Sequence, residues 1–384
     1  MDTKILLVGV GGYGALYVNA ALQQPRRSIS VVGVVDPYAA SSRYYDVIVE
    51  KGIPIHETLE DFYAKETADL AVISTPLQFH APQAIYCMEH GSHVLLEKPI
   101  APNLELARKM MAARDATGKM LAIGYQWCYD EAMLRLKADV DAGLLGKPKR
   151  LRALVFPPRD LNYYNRGLRW AGKKYDAQGN PIFDSVAANA TAHSLENMLW
   201  LIGKGYQGAE IETLEAETAR VNDIEMFDTA VIRVRAQGGA LLHFVVSHAT
   251  GRAHPQNPMI DYEFENAVLH YVEGEENLLC ARFHDGTEKV YGISNPGGSD
   301  LPKLWRAVDV VQGKADLPCP AETAAAHTKA MDLCMKVCPQ PHVFTGEDRV
   351  MDENMLWVPG LAERLRACYE TWQLPSELGG WTKR

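Results

Sequence analysis

Short apolar runs rich in β-branched residues alternate with amphipathic stretches along the first third of the chain. The apolar runs cover residues 5–8, 31–35, 71–74, 94–97 and 121–124. Helical periodicity covers residues 14–23, 81–89 and 104–117, and Gly91 and Gly118 stand where the last two helices would end. Because strands that are buried on both faces read as continuous apolar runs, this alternation predicts an α/β domain with a doubly wound parallel sheet.

The pattern changes after about residue 129, where longer strands replace the regular alternation. A helix is predicted over residues 131–142, and strands over residues 149–156, 210–219, 229–236, 241–248 and 260–271. Further helices are predicted over residues 185–201, 323–337 and 354–372. The sequence thus predicts an α/β domain over residues 1–128 and, over residues 129–384, an α+β domain with an open, mostly antiparallel sheet.

Length and charge limit the classes of protein to consider. A chain of 384 residues is too long for one ordinary core, which supports two domains. The formal net charge of -9 argues against a nucleic-acid or anionic-membrane partner, because both require a basic surface. Since the chain shows no long apolar run and its first residues lead directly into a strand, we expect a cytoplasmic protein.

The seven cysteines are scattered and odd in number, which is a poor basis for a disulfide framework. Only Cys334, Cys338 and His342 are close together in sequence. Pro339 and Pro341 would end a helix that carries the two cysteines, and no fourth ligand is evident. We therefore expect buried thiols here and no metal site.

A glycine-rich segment follows the first predicted strand and opens the first predicted helix. It reads Gly9-Val10-Gly11-Gly12-Tyr13-Gly14 and matches the dinucleotide-binding pattern G-x-G-x-x-G in the required context. Gly9 permits the tight turn, Gly11 lets a pyrophosphate approach, and Gly14 lets the helix pack closely. Phosphates would bind at the helix N-terminus.

The end of the second predicted strand carries the residue expected to select the cofactor. Asp36 lies about 20 residues beyond the last glycine, where a carboxylate accepts hydrogen bonds from the ribose hydroxyls of NAD. It would repel the 2′-phosphate of NADP, and its neighbours Pro37 and Tyr38 are not basic. NAD is therefore favoured, while Arg43 is close enough to keep NADP as the alternative.

Three further segments extend this reading. Ser74-Thr75-Pro76 with His80 follows the third strand, Glu97-Lys98-Pro99 ends the fourth, and Asn189 to His193 opens the helix predicted in the second domain. This ordered set resembles the glucose-fructose oxidoreductase, inositol dehydrogenase and MocA (Gfo/Idh/MocA) family. The resemblance implies a Rossmann domain and an NAD(P)-dependent oxidoreductase of sugars, polyols and their derivatives.

The resemblance implies that Lys98 reaches the substrate hydroxyl beside the nicotinamide. A lysine at the carboxyl end of a parallel strand lies where such sheets bind ligands, and its ammonium can stabilise an alkoxide or shuttle a proton. Thr75 and Pro76 would line the nicotinamide ribose, while His80 would lie near the pyrophosphate or simply begin the next helix. The residues expected to bind the cofactor are Gly9, Gly11, Gly12, Tyr13, Gly14, Asp36, Ser74, Thr75, Pro76, His80, Glu97 and Lys98.

The helix expected to carry catalysis departs from the family pattern. Family members often have Asp-x-Gly-x-His, whereas this chain has Asn189 in place of the Asp and retains His193. An amide can orient a hydroxyl but cannot take a proton near neutral pH. We therefore assign proton transfer to His193, assisted by Lys98. Asp184 is a candidate replacement for the missing acid, and Glu196 a candidate to orient the His193 ring.

A dense run of polar and aromatic residues precedes this helix. It consists of Arg159, Tyr163, Tyr164, Arg166, Trp170 and Lys173. Aromatic faces stack on pyranose rings and the polar tips bind hydroxyls or an acidic group, which predicts a substrate loop for a glycan-sized ligand. The alternative is an arm that packs on another subunit. Tyr125 and Trp127, after the fifth strand, would complete the same pocket.

Three functions remain open from the sequence. The first is an NAD-dependent dehydrogenase or reductase acting on a sugar, polyol or glycoside. The second is redox-neutral glycoside cleavage through transient oxidation by tightly held NAD, and the third is a non-catalytic NAD-dependent binding protein. In each, the partner is a small carbohydrate or glycoside, and the open sheet predicts a homodimer or homotetramer.

Overall fold

The computed structural model describes residues 2–294 and 300–382, which form two compact units. The first unit comprises residues 2–129 and 300–325. The second comprises residues 130–294 and 326–382. No helix in the described residues is both long and apolar enough to cross a membrane.

The first unit contains a six-stranded parallel sheet in the order β3-β2-β1-β4-β5-β6. Its strands, numbered in chain order, are β1 (Thr3–Val8), β2 (Ile29–Val35), β3 (Ile55–His56), β4 (Leu70–Ile73), β5 (His93–Leu96) and β6 (Leu121–Ile123). Its helices are α1 (Gly14–Leu22), α2 (Tyr45–Glu50), α3 (Leu59–Tyr63), α4 (His80–Glu89), α5 (Leu104–Thr117) and α9 (Pro302–Val311). The predicted doubly wound sheet is confirmed.

Residues 300–325 were expected in the second domain, and the structure places them in the first unit. The reason is the apolar face of α9, on which Leu304, Trp305 and Val308 are buried. They belong to the same hydrophobic cluster as Ile5 and Leu7 of β1. A segment distant in sequence therefore completes the core of the Rossmann unit.

The second unit contains a nine-stranded sheet in the order β14-β13-β12-β11-β7-β10-β9-β8-β15. Its strands are β7 (Pro148–Phe156), β8 (Ile211–Arg220), β9 (Thr229–Ala236), β10 (Leu241–Ser247), β11 (Gln256–Phe264), β12 (Ala267–Val272), β13 (Leu278–Phe283), β14 (Glu288–Ile293) and β15 (His342–Val343). Most pairs are antiparallel, and the exceptions are β7 with β10 and β8 with β15. The predicted open, mostly antiparallel sheet is confirmed.

The single strand predicted over residues 260–271 is wrong. The structure forms a hairpin of β11 and β12 there, in which Glu263 pairs with Val268. A separate two-stranded ladder of β16 (Val350–Asp352) and β17 (Met355–Trp357) occupies part of the helix predicted over residues 354–372. That helix, α11 (Leu361–Thr371), begins only after Gly360, whose φ is +75°.

The remaining helices are α6 (Glu131–Asp141), α7 (Leu161–Asn165), α8 (Ala192–Ile202) and α10 (Ala321–Val337). The boundary between the units falls within α10. The helix predicted over residues 185–201 is divided into a π-helical turn, Val186–Ala190, and α8. Thr191 separates the two, with its φ at -115° and its hydroxyl donating to the carbonyl of Val186 (2.7 Å).

Candidate active-site residues

The turn between β1 and α1 needs glycine at two positions. Gly9 has φ +80°, and a Cβ there would lie 2.9 Å from the Cγ2 of Thr75. A Cβ at Gly14 would lie 2.1 Å from the carbonyl oxygen of Gly9, which no side chain permits. The first turn of α1 therefore packs directly on the end of β1, as the dinucleotide motif requires.

The concave side of this turn fits a dinucleotide phosphate. A Cβ at Gly11 or Gly12 would have no neighbouring atom within 4 Å, so the space beside the backbone is open. Helix α1 has no side-chain cap at Tyr13 and no acidic residue in its first turn. Its terminal N–H groups and the positive end of its dipole are thus available to an anion.

Asp36, immediately after β2, is fixed by two backbone donors. Its Oδ2 accepts from the N–H of Val10 (2.9 Å), and its Oδ1 accepts from the N–H of Tyr38 (2.8 Å). A carboxylate has further lone pairs, which are suited to ribose hydroxyls. The guanidinium of Arg43 lies 5.2 Å from the centre of the Tyr44 ring.

The loops after β4 and β5 are joined by a buried imidazole. The Nε2 of His80 is 3.0 Å from the carbonyl oxygen of Thr75, and its Nδ1 is 2.9 Å from that of Pro99. Burial lowers the pKa of His80, although both carbonyls oppose this shift. His80 is the first residue of α4, as one of its two predicted roles requires. Its ring also joins the loop that carries Thr75 to the loop that carries Lys98.

The same two loops carry the remaining predicted cofactor residues. Thr75 donates to the Oε1 of Gln83 (2.5 Å), and the peptide bond between Lys98 and Pro99 is cis. The Oγ of Ser74 is buried and has no hydrogen-bond partner among the described residues. Such an orphaned hydroxyl beside the glycine turn fits a site that takes a polar ligand.

Glu97, next to Lys98, lies in a buried polar cluster with Lys303 of α9. The Glu97 carboxylate forms an ion pair with Lys303 and accepts from the hydroxyl of Tyr17 (2.7 Å). The Lys303 ammonium also donates to the carbonyl of Gly124 (3.2 Å) and lies 4.5 Å from the centre of the Tyr13 ring. Burial lowers the pKa of Lys303, but the charges of Glu97 and Tyr13 and the hydrogen bonds to both together outweigh burial and leave the pKa raised.

The place of Lys303 beside Glu97 has no signal in the sequence. Lys303 lies 206 residues from Glu97, and only the return of α9 to the first unit brings the two side chains together. No local motif marks the residue. Tyr125 and Trp127, which are predicted to complete the substrate pocket, are buried at 0% and 2% exposure.

In the second unit, the residue replacing the family carboxylate is hydrogen-bonded to another carboxylate. The Nδ2 of Asn189 donates to the Oδ1 of Asp184 (2.9 Å), and the Oδ2 of Asp184 accepts from the N–H of Gly172 (2.7 Å). Asn189 is the fourth residue of the π-helical turn, and the half-buried His193 lies in the first turn of α8. The structure therefore places the side chains of Asp184 and Asn189 in direct contact. Their spacing in the sequence made Asp184 a candidate but did not show this contact.

The loop before this turn forms a cluster of cations and aromatic rings. The guanidinium carbons of Arg159 and Arg166 lie 5.1 Å and 4.0 Å from the centre of the Tyr163 ring. Arg166 is also 5.5 Å from the Trp170 ring, and Tyr164 packs edge-on against Tyr163. Lys173 does not pack on these rings in the same way and instead forms an ion pair with Glu225 (3.4 Å). Arginine, rather than open solvent, thus covers much of the Tyr163 ring.

The cysteine group expected to be buried is only partly so. Cys334 of α10 is buried, while Cys338 is half-buried with its Sγ 3.2 Å from the hydroxyl oxygen of Thr218. His342 is exposed in β15. Burial raises the pKa of Cys334, so its thiol stays protonated at neutral pH.

Comparison with known proteins bears directly on the first unit. Residues 3–125 match the profile of the GFO_IDH_MocA family, described as an oxidoreductase family with an NAD-binding Rossmann fold. Residues 3–125 are therefore similar to the NAD-binding Rossmann domain of the Gfo/Idh/MocA family. The resemblance predicted from the glycine turn and the Glu-Lys-Pro segment is confirmed over these residues, and so is NAD binding by this domain. The preference for NAD over NADP stays a prediction.

Curated relatives of the Gfo/Idh/MocA type are similar over part of their length. Inositol 2-dehydrogenase of Rubrobacter xylanophilus is 25% identical, over 61% of this chain and 62% of the relative. Rhizopine catabolism protein MocA of Rhizobium meliloti is 31% identical, over 52% of this chain and 57% of the relative. The chain thus spans less than two thirds of the length of these relatives.

A solved structure of the same fold covers more of the chain. The WlbA dehydrogenase from Bordetella pertussis, crystallised with NADH and UDP-GlcNAcA, superposes with a TM-score of 0.73 at 21% identity. The superposition covers 88% of this chain and 96% of WlbA. At this identity, the likeness establishes the fold of both units.

Proposed function

We propose that this protein is an NAD-dependent oxidoreductase that transfers hydride between a hydroxyl-bearing carbon of a sugar, polyol or glycoside and the nicotinamide. The observation that carries the proposal is the position of Lys98. It follows β5 at the carboxyl edge of the parallel sheet, and His80 links its loop to the Thr75 loop beside the glycine turn. Similarity to an inositol dehydrogenase supports a polyhydroxylated substrate.

Lys98 is suited to binding the reacting hydroxyl. The cofactor, when bound, supplies the hydride acceptor or donor at its nicotinamide ring. As hydride leaves a carbinol carbon, its hydroxyl oxygen gains negative charge, and a nearby ammonium lowers the energy of that charge. The buried ion pair between Glu97 and Lys303 holds the adjacent backbone, so the Lys98 loop has a rigid base.

His193 is assigned the proton-transfer role. The imidazole is the side chain whose unperturbed pKa suits acid–base chemistry near neutral pH. Asn189 orients the substrate hydroxyl through its amide, and Asp184 fixes that amide by accepting from its Nδ2. This division of roles replaces the single carboxylate that the family pattern has at position 189.

The test is Lys98→Met, assayed by absorbance of reduced nicotinamide with a carbohydrate panel. Acid–base and charge stabilisation by one side chain is worth roughly 100- to 10,000-fold, so we expect the rate to fall by at least about 100-fold. NAD binding, followed by isothermal titration, should persist. The matched control is Lys109→Met, an exposed lysine of α5 paired with Glu105 (2.8 Å). A Lys98→Met protein with normal turnover would exclude the assigned role.

Asn189 also keeps redox-neutral glycoside cleavage as a second candidate. In that reaction the cofactor is regenerated within each cycle, so the purified protein would retain NAD and release an aglycone without net absorbance change. Mass spectrometry of gently denatured protein, followed by the same panel with glycosides, distinguishes the two. Tight NAD binding without any turnover would favour a binding protein instead.

We further propose that the protein is a homodimer or homotetramer assembled through the open sheet of the second unit. The outer strands β12, β13 and β14 expose Val268, Leu278, Val290 and Ile293. Apolar side chains grouped at a sheet edge are typical of a surface that another chain covers.

A further inference from the structure

Two arginines of the loop before the π-helical turn have no carboxylate partner in the part of the chain that the structure describes. Among the described residues, neither Arg159 nor Arg166 forms an ion pair, and both instead pack on the Tyr163 ring. Their neighbours differ, because Lys173 pairs with Glu225 (3.4 Å) and Arg252 lies 3.9 Å from Asp160. Guanidinium N–H groups without a carboxylate partner are suited to binding an external anion.

Two buried polar atoms in the same cluster also lack partners. The Nε of Arg159 and the hydroxyl oxygen of Tyr164 are buried and make no hydrogen bond within the described part of the chain. Burial raises the pKa of Tyr164, so its hydroxyl keeps its proton and can donate. Leaving such donors unpaired costs free energy that a bound acceptor would recover.

The remaining groups around the cluster do not supply that acceptor. Burial lowers the pKa of His248 to about 3, helped by the charges of Arg159 and Arg166, so this ring stays neutral. Asp184 already accepts from Gly172 and Asn189.

Asp228, the other acidic neighbour of Tyr164, is likewise engaged. Its carboxylate accepts from the backbone of Val221 (3.0 Å) and from both the backbone and the side chain of Asn222. Among the described residues neither carboxylate forms an ion pair with Arg159 or Arg166, and the negative charges of both act on the neighbouring Tyr164. A singly charged ligand group therefore suits the cluster better than a doubly charged phosphate.

We propose that Arg159 and Arg166, with the hydroxyl of Tyr164, bind the carboxylate of an acidic sugar. The inference rests on the proposed oxidoreductase function and narrows its substrate class from neutral polyols to sugar acids of the uronate type. A carboxylate accepts two parallel hydrogen bonds from a guanidinium, and its oxygens would accept hydrogen bonds from the Nε–H of Arg159 and from the hydroxyl of Tyr164. The exposed Arg166 guanidinium, which lies 4.0 Å from the centre of the Tyr163 ring and 5.5 Å from that of the Trp170 ring, would bind the same carboxylate.

The test compares acidic and neutral sugars of matched configuration. Rates of NAD reduction are measured for D-glucuronate against D-glucose and for D-galacturonate against D-galactose, each also as its methyl glycoside. A charge-assisted hydrogen bond discriminates by roughly 10- to 100-fold, so kcat/KM should favour the acid by at least about 10-fold. Arg159→Gln and Arg166→Gln should each reduce that ratio by about 10-fold or more, mainly through KM, and Arg159→Lys should restore part of it.

The control variant is Arg282→Gln, which removes an exposed guanidinium of β13 paired with Glu288 (3.1 Å). It should leave the ratio unchanged. Neutral sugars used as well as acids, or glucose 6-phosphate preferred to glucuronate, would overturn the carboxylate assignment. Circular dichroism melting of each variant shows that it is folded.

A second measurement separates this inference from the proposed function. Isothermal titration of the NAD-loaded protein with D-glucuronate and D-galacturonate needs no turnover. Binding that is lost in Arg159→Gln supports the anion site even if no sugar reduces NAD, in which case only the oxidoreductase proposal fails. If neither acid binds the wild-type protein, the anion site is excluded whether or not neutral sugars are oxidised.

Discussion

The Glu97 carboxylate is held in the first unit by two different groups. The Tyr17 hydroxyl belongs to the dinucleotide-binding helix, and the Lys303 ammonium belongs to α9. Because Lys303 is 1% exposed, its charge is tolerated only next to that carboxylate. The Glu-Lys-Pro segment is therefore supported from the interior by a residue to which the sequence motif gives no clue.

Replacing Lys303 tests this support at the scale of one residue. Lys303→Met leaves the Glu97 carboxylate buried without its cation, and we expect a loss of roughly 3–5 kcal/mol in the free energy of unfolding, measured in urea. Adding Glu97→Gln removes the uncompensated charge and should recover part of the loss. The exposed pair of Lys4 and Glu66 is the control, since Lys4→Met should cost under about 1 kcal/mol. Equal losses in the free energy of unfolding for Lys303→Met and Lys4→Met would show that the buried ion pair contributes no more to stability than the exposed one.

At the scale of elements, the sequence was informative where burial dictates the pattern. Strands β1, β4 and β5 are almost wholly buried and read as continuous apolar runs, so they were found. The two-residue β3 at the sheet edge has no such pattern and was missed. The hairpin of β11 and β12 resembles one strand in the sequence because its buried positions alternate on both sides of a turn at residues 265–266.

The site shows the same division. Residues whose roles depend on local backbone, such as Gly9 and Gly14, could be identified from spacing. The division of the catalytic helix at Thr191 could not, because most residues of the π-helical turn and of α8 are buried, so the apolar pattern does not mark the boundary between them. The ion pair of Glu97 with Lys303 depends on chain return, which sequence periodicity does not encode.

Two buried histidines at strand β10 make a prediction about pH. Burial lowers the pKa of His243 to about 4 and that of His248 to about 3, from an ordinary value of 6.5. The unfolded chain takes up these protons below about pH 6.5 and the folded chain does not, so stability is complete above that pH and declines as pH falls toward 4. Each histidine should contribute roughly 3 kcal/mol to the loss.

The measurement is urea unfolding between pH 7 and pH 4.5. His243→Gln should flatten the decline relative to the wild-type protein, because it removes one of the protons taken up on unfolding. His284→Gln replaces an exposed histidine and should leave the slope unchanged. A wild-type profile that is flat across this range would contradict the assignment of neutral, buried rings.

The whole molecule depends on the return of residues 300–325 to the first unit. Besides the apolar face of α9, this segment gives β6 a neighbour, since the N–H of Ile123 donates to the carbonyl of Cys319 (3.0 Å). Ion pairs join Arg27 to Asp309 (2.7 Å) and Arg114 to Glu322 (2.7 Å). A fragment ending near residue 129 would therefore expose apolar surface of the β1 core that the full chain buries.

Leu304→Ala tests this dependence in the intact chain. Leu304 is fully buried in the cluster that contains Ile5 and Leu7, so truncation leaves a cavity in the Rossmann unit and should cost about 2–5 kcal/mol. Because NAD binds only the folded unit, saturating NAD should raise the melting temperature of the variant as it does that of the wild-type protein. Leu278→Ala, at a position 38% exposed in β13, should cost far less. Equal melting temperatures for Leu304→Ala and Leu278→Ala would show that α9 contributes little to the stability of the NAD-binding unit.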